Sequence, residues 1–106
     1  MPKFLLEVKY TLDGIKGVKA EGGTARVKAA TALIEGLGGK VESFYFAFGG
    51  SDVFVIADMP DNVAAAAAGL TVSAGGGATS RTVVLITPEE MDAAARKEAL
   101  YRPPGG

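Results

Sequence analysis

From Phe4 to Thr11 the chain alternates, with Phe4, Leu6, Val8 and Tyr10 on one face of an extended strand and Leu5, Glu7 and Lys9 on the other. In Asp13-Gly14-Ile15-Lys16-Gly17 two glycines lie close together, which weakens a helix and predicts a loop or an irregular first turn. Gly22-Gly23-Thr24 then restarts a helix that carries Val27, Ala30, Ile34 and Leu37 at helical spacing, and Gly38-Gly39 stops it. Phe44 to Asp58 reads as two strands joined by a glycine turn. A tight turn at Gly50-Ser51 sets Phe48 opposite Val53, Phe46 opposite Val55 and Phe44 opposite Ala57. That face is wholly apolar and suits packing under helices. The opposite face carries Ser43, Tyr45, Ala47, Phe54, Ile56 and Asp58. It is too apolar for bulk water and too polar for a plain core, as surfaces are that meet another subunit or surround a ligand.

Pro60-Asp61-Asn62 opens an alanine-rich helix with Asp61 or Asn62 as its cap, and Gly75-Gly76-Gly77 ends it. Thr79 to Thr87 is a fourth strand. Thr87-Pro88-Glu89-Glu90 combines a threonine cap, proline at the first helical position and glutamate three residues after the cap, so it starts a last helix that runs to about Ala99. Tyr101 to Gly106, with two prolines and two glycines, is an extended tail. The order β-α-β-β-α-β with a C-terminal helix predicts one α+β domain over residues 1–106. It is of the ferredoxin-like kind, with an antiparallel sheet and helices on one face. The run Ala64 to Ala68 lets a helix approach its sheet closely. The uncovered sheet face predicts a homo-oligomer, dimer or trimer, and two such sheets face to face would form an α/β barrel.

Composition changes this picture mainly by exclusion. The 106 residues are 48% hydrophobic and 22% charged, with a net charge of −1 and both signs interspersed. No Lys/Arg-rich run exists to follow phosphates, so nucleic acid is not expected as a partner. Ala64 to Leu70 is too short to span a bilayer, and Met1-Pro2-Lys3-Phe4 lacks the features of a signal peptide, so no membrane is expected and the cytoplasm is the expected compartment. Cysteine, histidine and tryptophan are absent. That removes disulfides, thiolate nucleophiles, histidine triads and the usual zinc, haem and iron–sulfur ligands. Cofactor-free chemistry, a carboxylate-bound hard cation or no catalysis remain, and the expectation taken is no cofactor and no metal. Any acid–base chemistry falls to Asp, Glu, Lys or Tyr.

Several segments together resemble the GYD domain family. They are Thr11 to Gly17, Glu21 to Arg26, Leu37-Gly38-Gly39-Lys40 and Phe44 to Gly49, followed by Asp52 with Asp58-Met59-Pro60-Asp61, Ser80-Arg81-Thr82 and Leu85 to Glu90. The likeness runs from about Pro2 to Gly105. It implies a small bacterial protein with a ferredoxin-like, dimeric α/β-barrel type of fold, and it implies no particular activity. The Gly-Tyr-Asp tripeptide after which the family is named falls on Gly50-Ser51-Asp52, so serine stands at the tyrosine position and any ligand stacking by that ring is lost.

Each candidate residue has a plain and a functional reading. Asp52, just after the hairpin turn, is either a turn carboxylate that accepts backbone hydrogen bonds or a ligand contact or base at a pocket mouth. Asp58 either helps to cap the following helix or is a partly buried carboxylate with a raised pKa. Glu7, Lys9 and Arg81 form either a salt-bridge network within a subunit interface or a charged floor for a polar ligand. Tyr10 and Tyr45 either bury their rings or line a pocket with their hydroxyls. Arg26 reads as solvated. Gly75-Gly76-Gly77-Ala78-Thr79-Ser80-Arg81 follows a helix and enters a strand, the reverse of a phosphate-cradling loop.

Two functions follow. One is an oligomeric module that binds a small molecule or a protein through its open sheet face, with Tyr10, Tyr45, Asp52, Asp58 and Arg81 as contacts. The other is a cofactor-independent monooxygenase or isomerase for an aromatic or quinone-like substrate. Its pocket would lie between sheet and helices, lined by Phe44, Phe46, Phe48 and Tyr10, with Asp52 or Asp58 as base. Whether the protein is an enzyme stays open at this point.

Overall fold

Strand β1 (Lys3–Tyr10) is the spine of the fold in the computed structural model, which describes all 106 residues. It pairs antiparallel on one side with β3 (Val53–Asp58) and on the other with β4 (Ala78–Leu85). β2 (Lys40–Phe46) pairs antiparallel with the outer edge of β3, so the four-stranded order is β2-β3-β1-β4. The chain is thus an α+β protein with an antiparallel sheet and four helices. Alternation along β1 does what it predicts. Phe4 and Leu6, opposite Ala57 and Val55, are buried under helices, while Leu5 and Glu7 lie opposite Ile56 and Phe54 on the other face.

The hairpin differs from the expected register by two residues. Phe46 pairs with Val53 and Phe44 with Val55, and an irregularity between Val41 and Ser43 brings Val41 opposite Ala57. The connection is a wide loop rather than a tight turn at Gly50-Ser51. It is closed by the Ala47 N–H donating to the Asp52 carbonyl (2.8 Å), while the Asp52 N–H donates to the Val8 carbonyl (2.8 Å). A shift of two keeps every side chain on its face. Phe44 and Phe46 therefore stay on the helix side, and Tyr45 stays on the other face, where it is opposite Phe54 instead of Ile56. Phe48, expected in the strand, sits in the loop at 103% exposure.

The glycine-bearing segment after β1 is a helix, α1 (Leu12–Glu21), where a loop or irregular turn was expected. Thr11 caps it by accepting from the Gly14 N–H (3.2 Å). Tertiary contact outweighs the poor propensity. The Thr11 N–H donates to the Gly77 carbonyl (3.0 Å) and the Thr11 hydroxyl to the Gly76 carbonyl (2.9 Å), which fastens the start of α1 to the entry of β4. Gly22, at φ 83°, breaks the helix, and α2 (Gly23–Gly36) begins in a new direction. Helix α3 (Asn62–Ala74) is capped by Asp61, whose carboxylate accepts from the Ala64 N–H (2.8 Å). Helix α4 (Pro88–Ala95) has the Thr87/Glu90 capping box, and it ends four residues before the expected Ala99.

Ile34 of α2 and Ala65 and Ala68 of α3 join Phe4, Leu6, Val53, Val55, Ala57 and Met59 in one buried cluster. The alanines let α3 lie flush on the sheet, and at Gly69 a Cβ would already touch the Ser80 hydroxyl at 3.4 Å. This core is small, with 10 of 106 residues buried. From Ile86 onward every residue is exposed, α4 included. The radius of gyration is accordingly 16.8 Å and the longest axis 56 Å, whereas a compact chain of this length has a radius of about 13 Å.

Gly14 and Gly17 sit one turn apart in α1 and respond oppositely to the same change. A Cβ at Gly14 would fall on the Gly77 carbonyl oxygen, whereas a Cβ at Gly17 meets nothing within 4 Å. Gly17→Ala should therefore raise stability by up to about 1 kcal/mol, the usual helix gain. Gly14→Ala should lower it by roughly 1–3 kcal/mol, because backbone must move. Urea unfolding of the two variants checks the opposite signs.

Candidate ligand-binding cleft

Two helical stripes of small residues leave space over the Tyr10 end of the sheet. On α1, Gly14, Gly17, Val18 and Glu21 recur at i, i+3, i+4 and i+7 and face a cleft of about 440 Å³. Its far wall is the end of α3, at Thr71, Val72 and Gly75. On α2, Arg26, Ala29, Ala30 and Leu33 repeat the same spacing over an inner cavity of about 110 Å³, whose floor is Val8, Phe44, Val53 and Val55. Tyr10, Arg26, Leu33, Val72 and Ala78 line both spaces, so the two adjoin.

Few polar groups enter this space. Arg26 is the sole charged residue in the lining of the inner cavity, and Glu21 joins it only in the outer cleft. Their closest approach, Nη1 to Oε2, is 3.9 Å, an ion pair without a hydrogen bond. The Arg26 guanidinium and the Tyr10 hydroxyl make no hydrogen bond to any protein group. No group of three or more acidic side chains comes together anywhere to hold a metal ion. No helix is long and apolar enough to cross a membrane.

Of the five residues singled out in the sequence, the structure brings only Tyr10 to the cleft. Asp52 lies beside it without lining it. Its carboxylate accepts from the Tyr10 backbone N–H (2.8 Å), which extends the β1–β3 pairing by one bond. Asp58 is at the opposite end of β1, where Lys3 donates to it (2.9 Å) and also pairs with Glu42. That hydrogen bond from Lys3 holds the Asp58 carboxyl below the usual carboxylate range, so the raised pKa considered for it is corrected. Nor does Asp58 cap α3, a task that falls to Asp61. Tyr45 and Arg81 lie on the other sheet face, opposite Phe54 and Glu7 respectively. Glu7, Lys9 and Arg81 form no ion pair within the chain.

The aromatic lining also differs from expectation. Phe44 reaches the inner cavity, whereas Phe46 packs on Phe44, with centroids 5.2 Å apart, and on the bare Cα of Gly23. Arg26, expected in solvent, has its side chain 39% exposed and also lines the cleft, together with Glu21 and Leu33, which the sequence does not single out. The signal existed as the two i, i+3, i+4, i+7 stripes, but the first was hidden because Gly14 and Gly17 read as helix breakers.

The fold and the cleft define a small α+β domain with one helix-covered sheet face, one uncovered face and a single-arginine pocket where helices and sheet part. The chain belongs to the GYD domain family, whose model matches residues 4–95, the end of α4. None of the curated proteins compared with the chain matches it. The Gly50-Ser51-Asp52 tripeptide lies in the β2–β3 loop, and its aspartate is the residue that fastens β1 at Tyr10.

Asp52 should behave as a structural acceptor. Asp52→Ala leaves the Tyr10 amide without a partner and should cost about 1–3 kcal/mol, while Asp52→Asn keeps an acceptor oxygen and should cost under about 1 kcal/mol; chemical denaturation separates the two. The Lys3 cluster predicts a pH window. Asp58 is lowered from its ordinary 3.8, so its contribution is present above that value and is lost as pH falls through its folded pKa. Lys3 is raised from 10.5 by its hydrogen bonds to Glu42 and Asp58, so its contribution is present below 10.5 and is lost as pH rises through the raised value. The melting-temperature gap between wild type and Lys3→Met should be flat from about pH 5 to 9 and shrink outside it. Thermal scans across pH check this.

Proposed function

We propose that this protein is a small-molecule-binding domain that assembles through its open sheet face, with the ligand held in the cleft between α1, α2 and the Tyr10 end of the sheet. The observation that carries the reading is the cleft itself. An apolar cavity adjoining a larger vestibule, with a few convergent polar groups at the junction, is the usual form of a ligand site.

Assembly is supported by what the single chain leaves uncovered. Leu5, Ile56 and Val83 form an apolar row across the uncovered face, bordered by Phe54 and Tyr45. Glu7 and Arg81 stand near them without partners, and in a twofold pairing each is available to the opposite charge of the second copy. The unburied α4 and tail and the small core point the same way. The strand order, with β1 and β3 central and the helix-connected β2 and β4 at the edges, supports a ferredoxin-like arrangement for the family resemblance to rest on. Catalysis has weaker support, because neither Asp52 nor Asp58 lines the cleft and Glu21 is its single carboxylate.

Native mass spectrometry of protein purified gently from cells that make it naturally tests both halves. We expect a closed oligomer with a reproducible added mass. Ile56→Lys, on the open face, should give monomer, and Leu33→Trp, which fills the cleft, should keep the oligomer and lose the added mass. A monomeric wild type overturns the assembly half. An added mass that survives Leu33→Trp overturns the placement of the ligand.

A further inference from the structure

We infer that the ligand of this cleft is a compact apolar carboxylic acid, bound head-first on Arg26, and that Glu21 is the internal anion it displaces. The inference rests on the cleft being the binding site and assigns the chemistry of its occupant.

The decisive feature is where the charges sit. Arg26 lines both spaces and Glu21 only the larger one, so the one charge bordering the apolar pocket is positive. An amine would pair with Glu21 in the vestibule and leave the guanidinium between itself and the cavity. An acid pairs with Arg26 and places its apolar body inside. The guanidinium is a rigid fork whose donors match a carboxylate in bidentate fashion, and here those donors are unused. The Tyr10 hydroxyl, also without a protein partner, is a further donor at the same junction.

Glu21 is suited to yield its place. It stands at the end of α1 with its side chain 55% exposed, and at 3.9 Å it makes no hydrogen bond to Arg26. An exposed pair of that kind contributes little, so an incoming carboxylate with better geometry replaces it while Glu21 turns to water. The number of charges is bounded too. The far wall is the last turn of α3, at Thr71 and Val72, which carries the partial negative charge of a helix C-terminus. A single negative charge is tolerated there better than the double charge of a phosphate monoester. Size follows from the cavity. At about 110 Å³ it is below the roughly 150 Å³ of a cavity that accepts benzene. It therefore takes a short branched chain or the leading edge of one ring, and the remainder lies in the vestibule.

The test is titration of the full chain with benzoate, isovalerate, benzamide and benzylamine, read by calorimetry and by amide shifts in heteronuclear NMR spectra. The variants are Arg26→Met, Arg26→Lys and Glu21→Gln. We expect the two acids to shift the Tyr10, Leu33, Val72 and Ala78 amides and benzoate to bind at least tenfold tighter than benzamide or benzylamine. Arg26→Met should abolish that preference, with Arg26→Lys intermediate. Glu21→Gln should tighten benzoate severalfold and leave benzamide unchanged, a gain that no unfolding effect produces. Equal binding of benzoate and benzamide, or weaker benzoate binding in Glu21→Gln, overturns the acid assignment and leaves the cleft as a site for neutral ligands. If no probe moves the cleft amides up to its solubility limit, the acid assignment and the cleft reading both fall.

Discussion

The apolar sheet face formed by Phe4, Leu6, Val53, Val55 and Ala57 has to be covered, and the residues available to cover it are mostly alanine and glycine. That constraint shapes the rest of the molecule. At the Phe4 end, Ala65, Ala68 and Ile34 lie flush on the sheet, Met59 fills what remains, and the packing closes. At the Tyr10 end the same small side chains face longer distances. Ala29 and Ala30 of α2 and Gly17 of α1 are too short to reach the strands, so two adjoining pockets remain, while Gly14 lies directly against Gly77. One property of the helices, small contact residues, thus gives tight approach at one end and a binding volume at the other. The difference between the ends is where the backbone is fastened. α1 is tied to the β4 entry through Thr11, Gly76 and Gly77, and this holds it out over the gap.

The two aspartates that a functional reading favours both serve the backbone and the ion network. Asp52 supplies its carboxylate to the Tyr10 amide at a point where the wide loop leaves β1 without a continuing partner strand. Asp58 is matched with Lys3, its register partner on the neighbouring strand. The hydrogen bond that Lys3 donates favours the charged form of Asp58, which is therefore poorly suited to take a proton near neutral pH. In the cleft the charged group without a hydrogen bond to the protein is Arg26, which supports the proposed recognition of an anion over proton transfer.

Much of the fold was legible because local signals carry it. Alternation from Phe4 to Tyr10 identified the spine, and Thr87-Pro88-Glu89-Glu90 marked the start of α4 through a cap that needs no tertiary help. What escaped was whatever depends on contact between distant segments. Gly14 and Gly17 weaken a helix judged alone. That helix forms because Thr11 meets Gly76 and Gly77, more than sixty residues away. The hairpin register was missed by two because Asp52 is bonded to β1, which widens the loop beyond the tight turn that Gly50-Ser51 suggests. For the site, tyrosine at the end of an alternating strand could be placed on the helix face, whereas Arg26 could not be assigned without knowing which side of α2 meets the gap.

The remaining constraint joins the two faces. β1 alternates, so the strand that presents Leu5 and Glu7 to the open face presents Leu6, Val8 and Tyr10 to the helices. Any second copy that covers Leu5, Ile56 and Val83 would therefore hold the backbone on which Tyr10 stands. The Asp52 carboxylate accepts from the Tyr10 amide on that same backbone, beside the cleft. Under the proposed function, pairing and ligand binding would both act on this one strand. A ligand that orders the Tyr10 end favours the paired sheet, and pairing returns the same free energy to the ligand. With 10 of 106 residues buried in the isolated chain, the proposed pairing and the proposed ligand would each add burial and so each stabilise the fold by mass action.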